Sequence, residues 1–129
     1  MNDHAVSDFR KLRVWQEAQG VAVDAHRVAA RMRGGSCATL RDQLSRAAMS
    51  VPTNIVEGSA HASPREFARY VQYALASVSE LEGHIQLARD LDLITAHDFA
   101  TLLERIVNVR KMLHGLLKRL NPTAPTANT

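Results

Sequence analysis

The stretch LRDQLSRAAMSVPTNIVEGSAHASPREFARYVQYALASVSE, residues Leu40–Glu80, decides how this chain folds. Its first half carries an apolar line at helical spacing, Leu40, Leu44, Ala47, Ala48, Val51 and Ile55. A second line of the same period is polar: Gln43, Arg46, Ser50, Asn54 and Glu57. Pro52 falls inside both. Its nitrogen has no hydrogen to give the Ala48 carbonyl, and its ring presses on that turn. Either the helix ends near Ser50 and restarts with Pro52 in its first turn, or one helix runs through with a kink. Both lines stay in phase across the proline, which favours one kinked helix.

Gly58–Ala62 then supply a turn, and Ser63-Pro64-Arg65-Glu66 reads as a capping box with proline at the first helical position. The third helix places Phe67, Tyr70, Val71, Ala74, Val78, Leu81, Ile85, Ala88 and Leu91 inward. Its polar line is Glu66, Arg69, Tyr73, Ser77, Glu80 and His84. If the two helices form a hairpin about residues 62 to 63, facing residue numbers sum to about 126. Arg46 then meets Glu80, Glu57 meets Arg69, Ser50 lies near Ser77 and Asn54 near Tyr73. Gln43, Arg46, Ser50, Asn54, Glu57, Arg69 and Glu80 thus form either a solvated face or a polar seam for packing or assembly. In a seam, paired charges would fix register more than they add stability.

On the N-terminal side, Leu12, Trp15, Ala18, Ala22, Ala25, Ala29 and Met32 give a first helix an apolar face, with Asp8 as N-cap and Gly34-Gly35 as the stop. After a loop, Thr39 is expected to cap the second helix. On the C-terminal side, residues Asp92–Thr95 end the third helix. Thr95 caps a fourth, with Asp98 as its box partner, and the fourth carries a heptad line at Phe99, Leu102, Ile106, Val109, Leu113, Leu116 and Leu120. Helices joined by short connections pack as antiparallel neighbours. The expected fold is all-α, an up-down-up-down four-helix bundle over residues 9–120. Residues 1–8 are expected to be a flexible lead and 121–129, a Pro/Thr/Ala segment with little to bury, a disordered tail.

The 129 residues suffice for one domain with a real core. Hydrophobic residues make up 46% and aromatics only 5%, a balance that suits packed helices. The single cysteine excludes an internal disulfide and fits a reducing, cytoplasmic setting. No secretory leader and no membrane span are evident.

Chemistry-bearing motifs are missing. None of the six histidines stands four residues from another, and no Glu-x-x-His pair supplies a di-metal bundle. Cys37 stands in a Gly-Gly-Ser-Cys loop with no evident base and reads as an ordinary thiol. Nucleophile elbow, phosphate loop and dinucleotide fingerprint are all absent. No enzyme, metal or cofactor is expected.

The net charge of +3 is modest, but its distribution is uneven. Residues 64–98 sum to −3 and residues 99–129 to +4. Arg105, Arg110, Lys111, Lys118 and Arg119 of the fourth helix are candidate phosphate contacts for RNA or DNA. The plainer reading is a solvated helix face. Without interleaved aromatics the helix does not suggest base reading.

Two patterns in the opening stretch carry a family resemblance. They are Leu40-x-x-Gln43-Leu44-x-Arg46-Ala47-x-x-Ser50-Val51-Pro52-x-Asn54-Ile55-x-Glu57-Gly58 and Ser63-x-x-Glu66-Phe67-x-Arg69-Tyr70-x-x-x-Ala74-x-x-Ser77-x-x-Glu80-Leu81. With Phe9-Arg10-x-Leu12-x-Val14-Trp15-x-x-Ala18, they resemble the four-helix-bundle proteins encoded in intervening sequences of bacterial large-subunit ribosomal RNA genes. That resemblance implies a homopentamer with no agreed enzymatic activity. A relative, the accessory variability determinant of diversity-generating retroelements, is a basic pentamer that binds nucleic acid and a reverse transcriptase. The function so implied is a non-enzymatic oligomeric scaffold or binding module. Its partners would be further copies of itself and either RNA or DNA or a nucleic-acid-associated protein. The alternative is a purely protein-binding module.

Overall fold

The computed structural model describes residues 8–61 and 63–122. The expected loose ends therefore lie outside the described residues, except for Asp8, Asn121 and Pro122. Four helices carry the fold: α1 (Arg13–Arg31), α2 (Ala38–Ser59), α3 (Pro64–Asp90) and α4 (Ala96–Leu120). Short 3-10 turns at Phe9–Lys11 and Gly35–Cys37 precede α1 and α2. No strand occurs among the described residues.

Each helix packs against two others. Helix α2 lies beside α1 and α3, and α4 lies beside α3 and α1, which leaves α1 opposite α3 and α2 opposite α4. Direction follows from the side chains that meet. Arg31 at the end of α1 pairs with Asp98 at the start of α4, and Arg46 of α2 pairs with Glu80 of α3. Both pairs of neighbours are antiparallel. The core is a single cluster whose largest fully buried side chains include Leu44, Ile55, Leu81, Ile85, Leu102, Ile106 and Leu113. Alanines 18, 25, 47, 48, 74 and 88 are also fully buried.

Helix α2 is continuous through Pro52. Two side chains support the turn that the proline disturbs. Thr53 Oγ1 donates to the Met49 carbonyl at 2.9 Å, and Asn54 Nδ2 donates to the Ser50 carbonyl at 2.9 Å. Such bonds to the carbonyl four residues back give a distorted turn local partners. Ser63 caps α3, its Oγ accepting from the Glu66 N–H at 3.4 Å, and Thr95 caps α4, its Oγ1 accepting from the Asp98 N–H at 3.0 Å.

The N-terminal half needs correction in three places. Asp8 caps the short Phe9–Lys11 turn, and α1 starts only after extended Leu12. The buried face of α1 is centred on Val14, Ala18, Val21, Ala25 and Val28, while Leu12, Trp15 and Ala22 are only partly buried. Thr39 is not a cap: the Gly35–Cys37 turn runs directly into α2, whose N-cap residue is Cys37 and has no side-chain capping bond. Gly34 has φ of 101°, which makes it the residue where the chain reverses. Cys37 is buried, its thiol donating to the Gly34 carbonyl at 2.9 Å, so it belongs to the core.

Helix α3 closes with both bonds of a Schellman motif. Leu93 N–H reaches the Ala88 carbonyl at 2.8 Å and Asp92 N–H the Arg89 carbonyl at 3.0 Å. The left-handed position that glycine usually fills is held by Asp92, at φ 60°. A left-handed conformation costs a side-chain-bearing residue roughly 1–2 kcal/mol, less for Asp than for most. Asp92→Gly is therefore expected to raise stability by about 0.5–1 kcal/mol in urea unfolding. The exposed Arg89–Asp92 pair, at 3.6 Å, offsets little of this. A fall in stability would contradict the prediction.

Candidate functional site

The seam between α2 and α3 is ordered at its centre. Arg46 donates to Glu80 at 2.5 Å and to Gln43 Oε1 at 2.9 Å. His84 Nε2 stands 3.3 Å from the same Glu80 oxygen. Ser50 and Ser77 share a hydrogen bond of 2.7 Å between their hydroxyls, and Asn54 Nδ2 donates to Ser50 Oγ at 3.1 Å. Arg46 is 56% exposed and Glu80 38%, so this pair holds geometry without adding much stability.

Towards the α2–α3 turn the expected pairs do not form. Arg69 donates to the Tyr73 hydroxyl at 2.8 Å and pairs with Glu66 at 3.4 Å, both on its own helix, while Glu57 is exposed. Tyr73 thereby raises the Arg69 guanidinium further above its ordinary pKa. Asn54 turns back to Ser50 rather than reaching Tyr73. The cause is a close approach. A Cβ on Gly58 would lie 2.7 Å from Phe67 Cδ1 and 2.8 Å from Tyr70 Cβ, so aromatic side chains fill the space where a polar seam would continue. His61 stacks on Tyr70 with ring centres 5.2 Å apart and planes at 16°, and Tyr73 meets Tyr70 edge-on at 5.4 Å. Sequence reasoning missed this aromatic group because it read Tyr70 as core and Tyr73 as part of the polar line.

The flank of α3 beside the seam continues as a row. Spacings of four and three put Tyr73, Ser77, Glu80, His84, Leu87 and Leu91 on one side of the helix. Leu91, which its spacing places inward, is 56% exposed, Leu87 is 48% exposed and Tyr73 is 44% exposed. Met49 of α2 is 58% exposed.

The basic residues of α4 are not equivalent. Arg105 bonds to Asp24 at 2.5 Å and approaches Glu17 at 3.7 Å, both on α1, and its guanidinium lies across Gly20. Arg110 is paired with Glu82 of α3. Both are thus neutralised within the chain and serve to tie α4 to its neighbours. Lys111, Lys118 and Arg119 are exposed and have no ion-pair partner among the described residues. At the other end of the sequence, the Arg10 side chain and N–H hold the Asp8 carboxyl below its ordinary pKa.

No group of three metal-ligating side chains occurs among the described residues, and no described helix is long and apolar enough to cross a membrane. The family model of the 23S rRNA-intervening sequence protein matches residues 10–115. The chain belongs to that family. The match takes in the whole Leu40–Glu80 stretch, so in this intervening-sequence protein the ordered seam, the Gly58 contact and the basic α4 all lie inside the family's extent apart from Lys118 and Arg119. No curated protein matches the chain.

Proposed function

We propose that this intervening-sequence protein is a non-enzymatic, self-assembling scaffold that works in the cytoplasm and binds nucleic acid. A ring of five copies is what the family resemblance implies. The observation that carries the reading is the pair of exposed apolar side chains on the α3 flank, Leu87 and Leu91, on the same side of the helix as the ordered Arg46–Glu80–His84 group, with Met49 exposed on α2. Neighbouring exposed apolar side chains around oriented polar groups are the anatomy of a protein contact. Lys111, Lys118 and Arg119 supply cations that the fold does not consume.

The native mass of the purified chain tests the assembly. The wild type is expected at a multiple of the 14.2 kDa chain, and Leu87→Glu at the monomer mass with its helix content unchanged. A monomeric wild type at micromolar concentration overturns the scaffold. The same apolar flank also favours a second reading, a module that binds another protein and no nucleic acid. Recovery of the native assembly with and without nuclease separates them. Under the first reading nuclease removes co-purifying material, and under the second it changes nothing.

A further inference from the structure

We propose that a single-stranded nucleic acid is held on one end of the bundle, where the start of α1, the α2–α3 turn and the close of α4 come together, rather than along the side of α4. The inference rests on the nucleic-acid reading above and locates the site.

The topology brings the three segments to one end. Helix α1 runs antiparallel to α4, so Arg10, Lys11 and Arg13 share an end with Lys118 and Arg119. The Phe9–Lys11 turn packs against α2 as well as α1, and the α2–α3 turn adds Arg65 and Arg69. All seven side chains are exposed. Within residues 8–13, 57–69 and 114–122 they face three carboxylates, Asp8, Glu57 and Glu66, of which Asp8 is bonded to Arg10 and Glu66 to Arg69. At the opposite end, residues 31–42 and 86–98, four basic residues stand against four acidic ones, and in the belt between the ends five stand against five. The whole positive surplus of the described residues is therefore at one end.

Helix electrostatics does not account for this arrangement. Cations suit a helix C-terminus, which would explain Lys118 and Arg119. Arg13 and Arg65 occupy the first turns of α1 and α3, where the helix dipole disfavours a positive charge. A polyanion across this end would relieve them and the surplus together.

The aromatic group selects the class of polyanion. His61 lies flat on Tyr70, Tyr73 abuts them, and the Arg69 guanidinium stands 5.8 Å over the Tyr73 ring. Flat rings beside cations are what unpaired bases stack on, and a duplex has no unstacked base to offer. An anionic membrane would call for apolar side chains to insert. Apart from Tyr73, the exposed ones, Val23, Met49, Leu87 and Leu91, lie away from this end.

Fluorescence anisotropy with labelled oligouridylate and the full chain tests the proposal. The variant Arg13→Glu/Arg65→Glu/Lys118→Glu is expected to lose roughly tenfold or more in affinity. The slope of log affinity against log salt should flatten by about 2, at ~0.7 per lost phosphate contact for a single strand. Arg33→Glu, at the opposite end, is expected to bind as the wild type does. Tyr73→Ala is expected to weaken binding with the salt slope unchanged. Circular dichroism confirms folding, and if the triple variant melts early the single Arg65→Glu change replaces it. Unchanged binding by these variants, with a loss in Lys111→Glu, overturns the end site and leaves the nucleic-acid reading standing. A duplex bound as tightly as the oligouridylate, or phosphatidylserine vesicles bound in preference, overturns the single-strand assignment. No binding by the wild type at low salt overturns both readings.

Discussion

Replacing Leu81 with alanine is expected to lower the unfolding free energy by roughly 2–5 kcal/mol. Leu81 has 0% exposure and belongs to the one core cluster that all four helices share. Its removal forfeits the transfer free energy of the lost methyl and methylene groups and leaves a cavity that helices meeting through buried alanines cannot readily close. Domains of this size have a total stability of only about 5–15 kcal/mol, so the loss is a large share. Leu91→Ala is the control. It lies on the same helical stripe in the sequence but is 56% exposed, and its expected change is within about 0.5 kcal/mol. Urea midpoints compare the two at a protein concentration low enough to keep the chain monomeric, since Leu91 lies on the flank proposed for assembly and assembly makes stability depend on concentration. Equal losses would mean that the core of α3 has been misplaced.

That contrast shows what a periodic pattern conveys. Spacing finds a helix and its apolar side, but not where that side stops. Leu91 continues the stripe of α3 past the point where a neighbour covers it. In α1, the lines through Leu12 and Trp15 and through Val14, Val21 and Val28 are both apolar, and only the packing against α2 and α4 decides which is the centre. The α2–α3 hairpin was readable further because its cues are local. Capping residues fixed the start of α3, and a hairpin about one turn fixed the register of Arg46 with Glu80 and of Ser50 with Ser77. The same register failed for Glu57 and Arg69, where side-chain volume at Phe67 and Tyr70 overrode it.

Charge was the least legible property. The basic row of α4 looked uniform along the chain, yet Arg105 and Arg110 are neutralised by carboxylates from α1 and α3. Asp24 is 81 residues from Arg105 in sequence, a distance that no local pattern spans. The surplus at one end is hidden for the same reason, since it is assembled from three separated segments. Charge counted along the chain assigned the surplus to the fourth helix, and charge counted along the bundle axis assigns it to one end.

The second large effect is expected at Gly58. Gly58→Val should cost about 1–3 kcal/mol, because new atoms would have to enter a contact that is already closed. Phe67 can swing its ring away from the added Cβ, but Tyr70 Cβ, 2.8 Å away, is fixed to its own backbone and moves only if α3 moves. Val recovers only a few tenths of a kcal/mol in helix propensity over Gly, so overpacking decides the sign. Alanine separates the two effects. Gly83 lies within α3 and has nothing within 4 Å of the Cβ it would gain, so Gly83→Ala is expected to stabilise by up to about 1 kcal/mol. Gly58→Ala gains the same propensity and meets the clash, so the difference between the two variants isolates the contact. A pair of variants with equal effects on the urea midpoint would show that α2 and α3 do not approach as closely at Gly58 as the structure has them. If they do, forcing them apart also shifts α3, which bears Leu87 and Leu91, relative to α2 and its Met49, and Gly58→Val should weaken self-assembly as well as folding. Leu87→Glu, on an exposed position, should weaken assembly alone.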